Sequence, residues 1–130
     1  MLVIHLSEEI PAWLKERLER FEELQHSLQS IQLQKRQVDL EISEVERALN
    51  ELKKVGPDEA VYKFSGQILI KVKRDDILKE LEEKLELDKT RTTILAKQEE
   101  KLKQSLSEVQ SKISSALSSQ TGKSQELKES

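Results

Sequence analysis

The residues of this chain whose types could do covalent or metal chemistry are spaced in ways that argue against it. The stretch "TGKS", Thr121 to Ser124, has the ending of a phosphate-cradling loop. Such a loop needs a glycine five residues before Gly122, where Leu117 stands, and a strand leading into it, so nucleotide binding is not expected. His5 and His26 stand apart with no companion ligand at metal-binding spacing, and no metal or cofactor is expected. Glu80 with Lys84, and Glu99 with Lys103, recur four apart as surface helix pairs do, so no catalytic dyad is read from them and the chain is not expected to be an enzyme. What remains is the chemistry of apolar surface. Leu2, Val3, Ile4 and Leu6 crowd the start of the chain, Ile10, Trp13 and Leu14 follow, and a second apolar cluster lies at Val61 to Val72.

The composition says which elements must carry these clusters. The chain has 130 residues, 36% of them charged and 3% aromatic, which suits one domain of long helices rather than a compact enzyme core. Charges of both signs are mixed to a net of −3, so no basic stripe exists to neutralise phosphates and nucleic acid is not an expected partner. The absence of cysteine fits a reducing compartment. "MLVIHL" lacks a basic lead and is halted by Ser7, Glu8 and Glu9, so it is expected to be neither a signal peptide nor a membrane span. A cytoplasmic protein is expected.

Heptads define two helices. Leu14, Phe21, Leu28, Lys35, Ile42 and Leu49 recur every seven residues, and Arg17, Leu24, Ile31, Val38, Val45 and Leu52 follow three later. These fill the two seam positions of a coiled coil over about residues 7–54. A second seam over about 76–117 runs through Leu78, Leu85, Thr92, Glu99, Leu106 and Ile113, with Leu81, Asp88, Leu95, Leu102, Val109 and Ala116, and its middle is more polar. Lys53, Lys54, Gly56 and Pro57 form a stop signal in which Gly56 can take the left-handed closing conformation. Asp75 or Asp76 can cap the second helix, and Pro11 suits a first turn begun after Ser7. Each helix spans roughly 70 Å at 1.5 Å per residue. The short connection folds them back antiparallel, with Leu52 near Leu78 and Leu14 near Ala116. Lys35 in this seam either pairs with Glu99, fixing register, or carries its charge out to water along its own stem.

Between the helices, "VYKFSGQILIKVK" alternates apolar with polar residues and reads as a β-hairpin over about residues 60–73. The expected loop is the three-residue Ser65-Gly66-Gln67, although Gly66 in its middle is not the favoured glycine position; it places Ala60, Tyr62, Phe64, Ile68, Ile70 and Val72 on one side, whereas a two-residue loop would set Lys63 beside that row instead. A lone hairpin is marginal in water and has two unpaired edges. The expected resolution is that several chains join hairpins in one intersubunit β-barrel. The alternative is that the hairpin folds onto its own helix ends near Leu52, Val55 and Ile77.

"PDEAVYKFSGQILIKVKRDDILKELEEKLE", followed by "KQEEKLK", resembles the β-type subunits of archaeal prefoldin from about Ile10 to Leu117. The resemblance implies a mainly α fold, a long antiparallel two-helix coiled coil with one hairpin at the bend, forming a single domain over 1–117. It also implies an ATP-independent co-chaperone in which two α and four β subunits build a barrel platform. The free coiled-coil tips would hold unfolded polypeptide and deliver it to a group II chaperonin.

The residues themselves point to the same end of the helices. With the hairpins sequestered, the exposed end carries Leu2, Val3, Ile4, Leu6, Ile10, Trp13, Leu14, Ile113 and Leu117, and several weak apolar tips around one cavity bind firmly together. Leu14 and Ile113 equally serve to close the seam. Leu33, Leu40, Leu87 and Ile94 point outward at similar heights, as scattered surface leucines often do. The tail 118–130 lacks apolar periodicity and is expected to be disordered. A coiled-coil scaffold or tether without chaperone activity is the alternative; it would share the seams but would not need an apolar hairpin.

Overall fold

The computed structural model describes the backbone of residues 10–129 and the side chains of residues 10–119. Two long helices, α1 (Ala12–Lys53) and α2 (Arg74–Glu129), flank a two-stranded antiparallel hairpin of β1 (Val61–Ser65) and β2 (Ile68–Val72). The chain is mainly helical, as the heptads require.

Local chemistry sets the helix ends, and they differ from the sequence reading. The start expected near Ser7 lies outside the described residues; Ile10 and Pro11 are not helical and α1 begins at Ala12. The residue before a proline is pushed out of helical geometry, while the Pro11 carbonyl accepts from the N–H groups of Leu14 at 3.1 Å and Lys15 at 3.0 Å. At the other end Gly56 does not take the left-handed conformation, because Gly66 alone has positive φ among the described residues. Instead α1 closes with i to i−3 bonds, Lys54 N–H to Glu51 O at 3.2 Å and Val55 N–H to Leu52 O at 3.1 Å, a tightened last turn that satisfies terminal carbonyls without glycine. Helix α2 begins at Arg74, ahead of the predicted caps, and the Ile77 N–H donates to the Lys73 carbonyl at 3.1 Å. Asp75 and Asp76 therefore lie in the first turn, where a carboxylate still favours the positive end of the helix.

Helix α2 also runs through 118–129, where a disordered tail was the expectation. No proline interrupts "SSQTGKSQELKE"; Gln, Lys, Glu and Leu are good helix formers, and Gly122 alone costs only about 1 kcal/mol. Apolar periodicity was the wrong criterion there, since a helix needs it for packing and not for backbone geometry.

The described chain divides into two units. One combines the described parts of Met1–Gln32 and Lys97–Ser130; there Leu14 and Leu24 are buried, and Phe21, Leu28 and Ile31 of α1 and Leu102, Leu106, Val109, Ile113 and Ala116 of α2 are half-buried. The other, Leu33–Ala96, buries Val38, Val45, Leu49, Leu52, Ile77 and Leu95. Each fully buried aliphatic side chain contributes about 1.5–3 kcal/mol relative to exposure. Cross-helix bonds in this unit fix the antiparallel sense: the Thr92 hydroxyl donates to Asp39 Oδ1 at 2.6 Å, Lys84 Nζ meets Glu41 Oε1 at 2.6 Å, and Arg74 Nε donates to the Leu52 carbonyl at 3.1 Å. The α1 partner number falls from 52 through 41 to 39 as the α2 number rises from 74 through 84 to 92.

The hairpin register corrects the sequence reading. Ser65 pairs with Ile68, Phe64 with Leu69, Lys63 with Ile70, Tyr62 with Lys71 and Val61 with Val72. The loop therefore has two residues, Gly66 and Gln67. Gly66 takes φ 62° and Gln67 has no positive φ, the pattern of a type II′ turn, whose twist matches that of the strands it joins. Shortening the loop by one residue moves β2 to the opposite face relative to β1. Tyr62 and Phe64 now lie with Leu69 and Lys71, while Ile68, Ile70 and Val72 lie with Val61 and Lys63. Ala60 precedes β1 and is exposed. The predicted single row of apolar residues is thus divided between two faces.

Candidate interaction site

Hairpin residues that a globular core would cover stand in the open. Phe64 is 74% exposed, and Tyr62, Ile68, Leu69 and Ile70 are exposed as well. The base of the hairpin is better covered: Val61 and Val72 are half-buried, near the end where Leu52 and Ile77 are buried. Lys63 Nζ reaches Glu80 Oε1 at 2.6 Å, which turns the face bearing Ile70 and Val72 towards α2 and the face bearing Tyr62, Phe64 and Leu69 away from it. The base of the hairpin is therefore partly covered, and its outer part is left uncovered. Leu69, which the one-sided reading set on the opposite face, stands across from Phe64. Glycine as the first residue of a two-residue loop was the signal that could have found it.

Two groups hold this hairpin to the helices. The Arg74 side chain is mostly buried, donating from Nε to Leu52 O and from Nη1 to Asp75 Oδ1 at 3.0 Å. Leu52 O accepts from both Val55 N–H and Arg74, so the last turn of α1, the entry to the hairpin and the first residue of α2 meet at one carbonyl. The second anchor is the Lys63 contact with Glu80. Sequence reading missed both, because an arginine or lysine in a charged chain carries no local signal of its partner.

The second predicted site is the tip. Leu2, Val3, Ile4 and Leu6 lie outside the described residues. Ile10 is half-buried, Trp13 is 37% exposed, and Leu14 is buried at 7%. Ile113 is half-buried and Leu117 exposed. Leu14 and Ile113 thus serve the helix seam, whereas Trp13 and Leu117 present surface. The guanidinium of Arg17 stands 5.0 Å from the Trp13 ring centroid, a cation–π contact that steadies the indole without hiding it. Leu18, not singled out from the sequence, is also exposed and lines a shallow apolar groove with Phe21. Its position beside the seam was the available signal. Leu33, Leu40, Leu87 and Ile94 are exposed as expected.

Among the described residues no group of acidic, histidine or cysteine side chains could hold a metal ion, and no helix is long and apolar enough to cross a membrane. The arrangement is suited to burying apolar surface against other polypeptide.

Comparison with known proteins agrees with this geometry over most of the chain. The sequence model of the family described as "Prefoldin subunit" matches residues 15–120. The prefoldin subunit beta of Archaeoglobus fulgidus is 40% identical over 114 residues, covering 88% of this chain and 98% of that protein. The corresponding protein of Pyrobaculum islandicum is 37% identical over 110 residues, covering 85% and 88%. The crystal structure of the prefoldin beta subunit from Thermococcus strain KS-1 superposes with a TM-score of 0.74 at 37% identity, covering 84% of this chain and 96% of that one.

Proposed function

Since the chain belongs to the prefoldin subunit family, whose members are chaperone subunits that assemble with one another, we propose that it is the β-type component of an ATP-independent co-chaperone. Its hairpin joins those of further β subunits and of a prefoldin α subunit in an α2β4 heterohexamer. The coiled-coil tips then hold unfolded polypeptide and pass it to a group II chaperonin in the cytoplasm.

The observation that carries this reading is the hairpin: Tyr62, Phe64 and Leu69 on one face, and Ile68 and Ile70 on the other, stay exposed in the isolated chain. Burying one such side chain is worth about 1.5–3 kcal/mol, and pairing the free strand edges adds to it. The division between two faces strengthens the case for assembly, because one covering surface cannot reach both. Client holding is assigned to Trp13, Leu117 and Leu18, with Leu2, Val3, Ile4, Leu6 and Ile10 as the rest of the tip; Leu14 and Ile113 support them from the seam.

The test is reconstitution. The chain is mixed with a prefoldin α subunit, the mass of the product is measured, and the product is assayed for suppressing aggregation of a chemically denatured protein. A hexamer that suppresses aggregation and releases the client to a group II chaperonin meets the expectation. A hexamer without either activity would leave the chain a scaffold.

A further inference from the structure

Asp88 occupies a seam position of α2 that a coiled coil normally gives to leucine. It is 2% exposed, the one buried polar or charged residue among those described, and its Oδ2 has no hydrogen-bond partner. A carboxylate can only accept, and a buried oxygen with no donor is costly. The groups that face it make the problem sharper. From α1 comes the carboxyl of Glu41, within hydrogen-bonding reach of Asp88, and Glu44 stands near Lys84. From α2 come Lys84 and Arg91. Lys84 is already committed to Glu41 at 2.6 Å, and Arg91 is an exposed residue that acts on Asp88 only through its charge. Both cations thus act on Asp88 through charge, and neither donates to its buried Oδ2.

We propose that Asp88 and Glu41 hold one proton between them in the folded chain, taken up from water on folding, and that this layer of the helix pair loosens as the solution becomes more alkaline. With the proton on Asp88, its O–H donates to Glu41 while Glu41 keeps its charge for Lys84. Every buried oxygen then has a role, and the pair carries a single negative charge opposite one ammonium. Without the proton, two carboxylates face each other beside a single ammonium, with the Asp88 oxygen buried and undonated.

The electrostatics agree in direction. Burial, then the charge of Glu41 and the hydrogen bond to it, push the Asp88 carboxyl above the usual aspartate range. The hydrogen bond and charge of Lys84 hold Glu41 below the usual glutamate range, and Glu41 in turn raises Lys84. For Asp88 the folded chain binds more protons than the unfolded one between the ordinary and the raised value, so stability falls as pH rises through that window. Glu41 acts with the opposite sign at lower pH, its contribution being lost as pH falls through its depressed value. The contribution of Lys84 disappears only above the ordinary lysine range.

Carbon-13 NMR of the side-chain carboxyls in the labelled full chain, with D88N to assign the resonance, tests this directly. Asp88 is expected to titrate above the ordinary aspartate range, and a midpoint at or below that range overturns the proposal. Thermal melting of the same two proteins gives a second readout, because the amide introduced by D88N supplies a permanent donor to Glu41. D88N is expected to gain on the parent as pH rises, reaching about 3–5 °C of added melting temperature at pH 8. An offset between the two that does not change with pH contradicts a shared proton.

Discussion

The Nε–H of Arg74 meets the main-chain carbonyl of Leu52 at 3.1 Å, so the first residue of α2 is bonded to the closing turn of α1 across the whole hairpin. The contact joins a charged donor to the negative end of a helix, where free carbonyls gather. Replacing Arg74 with Ala is expected to lower stability by about 1.5–2 kcal/mol, read from the urea midpoint. Arg74→Lys should recover only part of this, because a lysine lacks the planar fork that also reaches Asp75.

Gly66 carries the hairpin register. Its φ of 62° is open to glycine and costs other residues about 1–2 kcal/mol, although a Cβ there would meet no atom within 4 Å. Gly66→Ala should therefore weaken the hairpin by about that amount through backbone strain alone. Gly66→Asn should cost less, since asparagine tolerates this region. Exchange protection of the β1 and β2 amides separates the two variants.

Phe64 and Leu69 stand opposite each other on the face turned from the helices. Phe64→Ser is expected to weaken subunit association about ten- to a hundredfold, the equivalent of the roughly 1.5–3 kcal/mol that a buried aromatic contributes. Far-UV circular dichroism should show the helices unchanged. The same substitution at Leu33, exposed on α1, should leave association as it was.

Trp13 and Leu117 form the exposed part of the described tip. Trp13→Ala with Leu117→Ser should reduce suppression of client aggregation several-fold while the mass of the assembly stays the same, since many weak apolar contacts act together. Removing residues 1–6 should reduce it further. An intact assembly with undiminished suppression in both variants would place client binding elsewhere.

Leu49 is a seam residue at 6% exposure, and its replacement by Ala should cost about 2–4 kcal/mol. A thermal melt detects this without any partner. The helices owe their pairing to such residues, and the outward leucines do not share in it.

The seams were legible in the sequence because a seven-residue period is a long-range signal: from Leu14 to Leu52 and from Leu78 to Ala116 every seam residue is buried or half-buried. The hairpin was legible as an element and misread in register. Its two faces differ by a single residue of loop, and alternating apolar residues fit either choice. Only Gly66, in the first loop position, favours the shorter turn, and its weight comes from backbone twist rather than hydrophobicity. The anchors Arg74 and Lys63 and the buried Asp88 were not legible at all as interactions, since their meaning depends on a partner across the fold.

The claim on which the rest depends is that sister subunits cover the hairpin. Analytical ultracentrifugation of the chain, alone and mixed with a prefoldin α subunit, measures this most directly. The account predicts a complex of six subunits in the mixture, abolished by Phe64→Ser with Ile70→Ser. A particle that stays at 15.1 kDa in the mixture, fully helical and with its hairpin protected from exchange, would contradict it.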